Sequence, residues 1–276
     1  MRIAVITIVA GRGTHLRLQR RGLTASTLRP DVHVVVRMGT AQRISPQPGL
    51  CTITTQVEVP ATGLPLAEAR NAGAGEALAG GADLLIFLDV DCIPSTGLIR
   101  RYAEAARSHP GALLAGPVAY LGPPPPGGYR LEHLDGVPHP ARPVPPDGAV
   151  VPEPRTELFW SLSFALTAAT WERVGGFHPG YTGYGAEDTD FALIAERADA
   201  TLHWVGGALA HHQHHGPSGA TAAHAPDIVR NARLFHRRHG WWPMEGWLLE
   251  LQEDGWVDYD PDRGTCALVT PAPRTG

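Results

Sequence analysis

No lysine occurs anywhere in this chain of 276 residues; all 23 of its basic side chains are arginine. That absence excludes chemistry built on a primary amine: a Schiff-base lysine, a P-loop lysine or a Ser/Lys dyad. Cysteine is almost as scarce. Cys51, Cys92 and Cys266 are odd in number and have no CxxC spacing, so neither a disulfide framework nor a cysteine zinc site is indicated. A reducing, cytoplasmic setting is expected. Also missing is an apolar run long enough to span a bilayer, for the opening stretch Ile3 to Ala10 passes straight into Gly11-Arg12-Gly13, and no targeting or transmembrane segment is read. Excess positive charge is lacking as well. A net charge of -4 gives no field for a polyanion, so no nucleic-acid partner is expected.

What is present suffices for a large core. At 43% hydrophobic and 18% charged, the chain can fill one large α/β domain or two fused lobes. Its first third alternates strand and helix patterns. Ile3 to Val9 is apolar and β-branched, Leu16 to Leu28 has helical spacing, and Asp31 to Arg37 reads as a second strand. A helix is expected from Pro65 to Leu78, followed by Leu84-Leu85-Ile86-Phe87-Leu88, an unbroken apolar run suited to a central parallel strand covered on both faces. This alternation predicts a doubly wound, mostly parallel sheet whose ligands bind at the carboxyl ends of its strands.

Residues 117–154 hold 12 of the 26 prolines and are read as neither core helix nor central strand. The expected organisation is a first half at 1–116, a proline-rich loop or linker at 117–155, and a second half of the same domain at 156–276.

Asp89-Val90-Asp91 stands where the third apolar run stops. Strand alternation would point both carboxylates to one face, where a divalent cation or a proton relieves their repulsion. The alternative for a bare DxD is a capping Asp89 and a solvated Asp91. Further on, Tyr181-Thr182-Gly183-Tyr184-Gly185-Ala186-Glu187-Asp188-Thr189-Asp190 leads glycines and aromatics into a cluster of acids at a helix start. Helix capping by those acids is the plain reading; an acceptor platform with a base at its edge is the sharper one.

Gly175-Gly176-Phe177 with Gly183 to Phe191 resembles the galactosyltransferase-type C-terminal motif of GT-A glycosyltransferases, with family 2 enzymes as the nearest broad group. Ala69-Arg70-Asn71-Ala72-Gly73 and the DxD are similar to the nucleotide and metal motifs of that superfamily. The resemblance implies a GT-A fold and transfer of a sugar from a nucleoside-diphosphate sugar, a UDP-sugar by preference, to a small-molecule or glycan acceptor. It implies that Asp91 binds the metal and Asp89 the metal or the ribose. Arg70 and Asn71 would lie on the nucleotide side, Asp188 would be the catalytic base, and Glu187 would orient the acceptor. Val9, Arg12 and Val90 are placed beside the donor, and Trp160, Tyr184 and Gly185 beside the acceptor. Inverting members have an acid directly after the motif's glutamate, so Glu187-Asp188 implies inversion. One departure is Arg37-Met38-Gly39-Thr40, where family 2 enzymes often carry acids for the nucleobase.

Eight of the 14 histidines lie in residues 203–239. In Ala210-His211-His212-Gln213-His214-His215, four imidazoles sit within five residues. Many GT-A enzymes add one late-strand histidine to the metal shell. His212 is the first choice, with His211, His214 and His215 as competitors, and an imidazole ligand favours Mn²⁺ over Mg²⁺. Two alternatives stay open. Gly11-Arg12-Gly13-Thr14 superficially resembles the start of sugar nucleotidyltransferases, which use a lysine that this chain does not have; a non-catalytic sugar-nucleotide or glycan-binding protein is the other. Donor sugar, acceptor and oligomeric state are not read from the sequence.

Overall fold

The computed structural model describes residues 1–39, 43–215 and 221–269. Thr40 of the candidate nucleobase segment lies outside the described residues. In chain order, β1 (Ile3–Val9), α1 (Gly13–Ala25), β2 (Val32–Met38) and β3 (Thr52–Val57) precede α2 (Leu66–Ala79), β4 (Leu84–Leu88), β5 (Cys92–Pro94) and α3 (Leu98–Ser108). The middle contributes β6 (Leu113–Ala115), β7 (Val118–Leu121), β8 (Gly136–Pro138) and β9 (Val150–Pro152). Then come β10 (Ser163–Thr167), α4 (Ala168–Val174), α5 (Glu187–Arg197), β11 (Leu202–Val205), β12 (Ala210–His212), α6 (Ala225–His239), α7 (Glu245–Glu253), β13 (Val257–Asp260) and β14 (Thr265–Leu268).

Eight strands form the main sheet in the order β3-β2-β1-β4-β10-β6-β11-β9. The β3-β2-β1-β4 half is parallel, and its inner strands β1, β2 and β4 are the nearly continuous buried runs typical of parallel strands covered on both faces. β4 is wholly buried but only half conforms to the expected parallel strand: it runs parallel to β1 on one side and antiparallel to β10 on the other. α2 lies close on this half because its inner face is small. At Gly73 an added Cβ would stand 2.5 Å from Ile6 Cγ2 and 2.9 Å from Val36 Cγ2, so glycine sets how near the helix can approach.

Three local expectations are corrected. The first helix runs over Gly13–Ala25 rather than Leu16 to Leu28, starting at a left-handed Arg12 and stopping before the extended Ser26. β3 was not anticipated, because its Thr-Ile-Thr-Thr-Gln-Val sequence is half exposed at the sheet edge and carries no strong alternation. The proline-rich stretch does supply an internal strand. β7 is paired on both sides in the small sheet β5-β12-β7-β8, since Pro117 precedes it and no proline interrupts Val118-Ala119-Tyr120-Leu121. The small sheet continues from the DxD turn, and its β12 brings the histidines back to that turn.

Candidate active site

Asp89, Val90 and Asp91 do not lie on a strand. β4 ends at Leu88, and the three residues form a turn closed by the Cys92 amide donating to the Asp89 carbonyl at 2.8 Å. Alternation therefore does not aim the two carboxylates together; the turn sends them to different partners. It is fixed from below by a buried polar chain. Gln19 donates to the Asp89 carbonyl at 2.6 Å and to the Leu88 carbonyl at 3.3 Å, and its Oε1 accepts from the Thr7 hydroxyl at 3.0 Å. With the Thr7 proton committed to Gln19, His33 Nε2, 3.1 Å from Thr7 Oγ1, must be the donor in that pair. Burial pushes the His33 pKa down to about 3, so this ring is neutral.

Asp91 is 4% exposed and faces three basic side chains. His212 Nε2 is 3.5 Å from its Oδ1, His215 Nε2 is 3.4 Å from its Oδ2, and the Arg12 guanidinium hydrogen-bonds Oδ2. Burial alone would raise the Asp91 carboxyl. The hydrogen bond from His215 and the charges of His212 and Arg12 hold it below the usual carboxylate range. Ligating atoms of Asp91, His212 and His215 all lie within 4.8 Å of one another, one oxygen and two nitrogens of the kind that binds a divalent transition ion. Burial lowers the His212 pKa, which favours the neutral ring that such binding needs. His211, one residue earlier on β12, pairs in register with Ile93, and its buried Nδ1 has no partner among the described residues. His214 is exposed. The set thus contains His212, as expected first, together with His215, which lies three residues beyond the end of β12 with its ring against Asp91.

Asp89 belongs to a second cluster. Arg70, buried on α2, donates to Asp89 Oδ1 at 3.3 Å and to Glu187 Oε1 at 3.2 Å, and stands 5.2 Å from the centre of the Phe177 ring. It is a buried cation between two acids. Burial brings the Asp89 carboxyl up to about 6, opposed by Arg70 and assisted by Asp91. Asn71 is spent on backbone: its Nδ2 donates to the Phe177 carbonyl and its Oδ1 accepts from the Phe177 amide, both at 2.8 Å. That clamp pins the Gly176-Phe177 turn to α2.

α5 begins at Glu187 after Ala186, whose φ of 70° is left-handed. Arg12, before α1, has φ 53°. Such backbone costs about 1–3 kcal/mol for a non-glycine residue and clusters at functional sites. Glu187 is buried, whereas Asp188 is part-exposed and accepts from the Thr189 amide at 2.8 Å. Burial, then the adjacent Glu187 charge, pushes the Asp188 pKa up to about 7. The third acid of the motif serves packing. Asp190 is fully buried and accepts from Tyr181 at 3.1 Å, Arg238 at 2.7 Å and His239 at 2.6 Å, tying α5 to the end of α6.

Tyr184 stacks between His224, at 4.8 Å, and Trp247, at 5.3 Å. Its backbone is held by α6, where Asn231 donates to the carbonyls of Thr182, Tyr184 and Gly185 and Asp227 accepts from the Tyr184 amide. Gly183, at φ 71°, is required here, because an added Cβ would stand 2.0 Å from Asp227 Oδ2. Val9 and Val90 pack with Leu16 and Val35 beneath the DxD turn. Trp160 is half-buried. Its ring meets His139 at 4.8 Å and the Arg142 guanidinium at 5.0 Å. Tyr120 lies 5.0 Å from the His212 ring and 6.4 Å from His139. Sequence reasoning missed Gln19, Tyr120, His139 and Arg142; each stands alone in its local pattern, and only the fold brings it to the site.

The family described as the N-terminal domain of galactosyltransferase matches residues 152–215, a span that contains Glu187, Asp188, His212 and His215. Among solved structures, residues 1–349 of TarS from S. aureus align with a TM-score of 0.58 at 14% identity, covering 86% of this chain and 65% of that one. GalNAc-T7, crystallised with UDP, GalNAc and Mn²⁺, aligns with a TM-score of 0.59 at 16% identity, covering 89% of this chain and 49% of the other. The chain therefore spans less than two thirds of these proteins. No curated protein matches it in sequence. The likenesses, with the mixed α/β architecture and its large, mostly parallel sheet, show a GT-A fold.

Proposed function

We propose that this chain is a metal-dependent, inverting glycosyltransferase that moves a sugar from a UDP-sugar to an acceptor hydroxyl. One observation carries the reading. On a GT-A fold, the Asp91–His212–His215 set adjoins, across one tight turn, an Arg70–Glu187 pair and a part-exposed Asp188 whose pKa is pushed up to about 7. The oxygen and two imidazole nitrogens suit Mn²⁺ better than Mg²⁺, and GalNAc-T7, of similar fold, was crystallised with Mn²⁺ and UDP. A divalent ion bound by Asp91, His212 and His215 would supply Lewis-acid stabilisation of charge on the leaving diphosphate. Arg12, at the left-handed residue before α1, brings a further positive charge to the same place.

Asp188 serves the acceptor. It takes the hydroxyl proton as that oxygen bonds to the anomeric carbon; the bond from that carbon to the diphosphate oxygen breaks, and its electron pair leaves with UDP. A single displacement of this kind inverts the anomeric configuration. A base with a pKa near neutrality balances availability against strength and contributes about 10² to 10⁴ in rate. Glu187, held by Arg70, lies next to Asp188, and its charge adds to burial in raising the Asp188 pKa. Part-exposed Trp160 offers a ring against which a sugar can pack, while Tyr184, stacked between His224 and Trp247, braces the glycine turn before Glu187.

The test is UDP release from a panel of UDP-sugars in the presence of Mn²⁺, with the product's anomeric configuration read by NMR. Asp188→Asn is expected to lose the reaction while retaining UDP binding. Full turnover in that variant removes Asp188 from its role, and silence of the wild type with every donor contradicts the reading.

A further inference from the structure

Arg142 is a charge that the site described so far does not use. It lies in the irregular stretch between β8 and β9 and is 5% exposed. Its Nε, Nη1 and Nη2 all lack hydrogen-bond partners among the described residues. The guanidinium stands 5.0 Å from the Trp160 ring centre and 4.7 Å from that of Trp204. Stacking on two indoles recovers part of the cost of removing this cation from water, but five N–H donors stay unsatisfied. The other buried arginines differ. Arg70 has Asp89 and Glu187, and Arg20 donates to the Ser45 carbonyl and the Thr52 hydroxyl.

Its position ties it to the substrate site. From Trp160 the rings continue through His139 and Tyr120 to His212, a row reaching the Asp91 cluster. Asp188 is near enough for its charge to act on the Arg142 guanidinium. Trp160 is part-exposed and covers it, and the Arg142 amide donates to the His139 carbonyl at 3.0 Å in a short turn. The guanidinium is enclosed here, so a ligand would reach it through a shift of that turn or of the Trp160 ring.

Resting on the glycosyltransferase reading, we propose that Arg142 is an anion-binding residue of this site, and that a sugar bound there carries a carboxylate or a phosphate. The planar fork of arginine matches both groups with paired, charge-assisted hydrogen bonds, and a buried cation with no acceptor among the described residues is the counterpart such a group requires. The anion belongs either to the donor sugar or to the acceptor, and matched probes separate these sources.

Calorimetric titration of the full chain with Mn²⁺ present uses two arms. UDP-glucuronate is compared with UDP-glucose; glucuronate and glucose 6-phosphate are compared with glucose in the presence of UDP. The expected result is a preference of about tenfold or more for the acid in one arm, abolished in Arg142→Gln and weakened in Arg142→Lys, with UDP affinity unchanged. A preference in the first arm places the anion on the donor, and one in the second places it on the acceptor. Equal affinities for acid and neutral probes in the wild type overturn the proposal, as does a preference that survives Arg142→Gln. Where that variant fails to fold, the wild-type comparison and Arg142→Lys decide. UDP alone is titrated separately: its failure to bind sinks the glycosyltransferase reading, while the free-sugar arm, repeated without UDP, still judges Arg142.

Discussion

Replacing Asp188 by Asn should stabilise the protein while destroying its activity, and the gain should depend on pH. The folded state raises this carboxyl from an ordinary 3.8 to about 7, so between those values the native chain binds more protons than the unfolded one. Stability contributed by this group is therefore lost as pH rises from about 4 towards 7. A shift of this size sets a ceiling of about 4 kcal/mol. Because the side chain is part-exposed and its surroundings relax, a cost of about 1–3 kcal/mol at pH 8 is the realistic expectation. Asn keeps the shape and removes the charge. Urea or thermal unfolding of wild type and Asp188→Asn, with chelator present and no donor, should show nearly equal stability at pH 4.5. At pH 8 the variant should be ahead by about 1–3 kcal/mol, or a few degrees in Tm for a domain of this size. A variant that is less stable at pH 8, or a difference that ignores pH, would refute the assignment of burial and Glu187 as the causes.

Three further outcomes follow from the same geometry. Arg70→Met leaves Asp89 and Glu187 without their shared cation and should destabilise the fold by about 3–5 kcal/mol, read from denaturant midpoints. Gln19→Leu removes the support under the DxD turn and takes away the acceptor of the Thr7 hydroxyl proton. It should cost about 1–3 kcal/mol, measured by urea unfolding, and weaken Mn²⁺-dependent UDP binding measured by calorimetry. Gly183→Ala meets Asp227 at a left-handed position, so it should lower Tm and raise the apparent KM for acceptor more than for donor in steady-state assays.

Much of the fold was legible because its signals are local. Leu84 to Leu88 announces a buried strand by its unbroken apolar run, and the helix expected from Pro65 to Leu78 is found at Leu66–Ala79. The Glu187-Asp188 pair is legible for the same reason, since its acids are neighbours in sequence and share a helix start. What escaped is what depends on distant partners. The DxD looked like the last residues of a strand, yet Cys92 closes it into a turn and divides its acids between Arg70 and the histidines. His215 could not be separated from its neighbours, because it lies past the end of β12, where strand alternation no longer applies. Gln19 acts on a carbonyl 70 residues away, and Arg142 is a lone arginine among prolines until Trp160 and Trp204 enclose it.

The most direct test of the proposed site is UDP affinity with and without Mn²⁺, by calorimetry, in the wild type and in Asp91→Asn. If Asp91, His212 and His215 hold a cation that bridges to the donor diphosphate, Mn²⁺ should tighten UDP binding by at least about tenfold in the wild type and leave Asp91→Asn unaffected. UDP affinity that is indifferent to Mn²⁺ in the wild type, or equally responsive in Asp91→Asn, would contradict it.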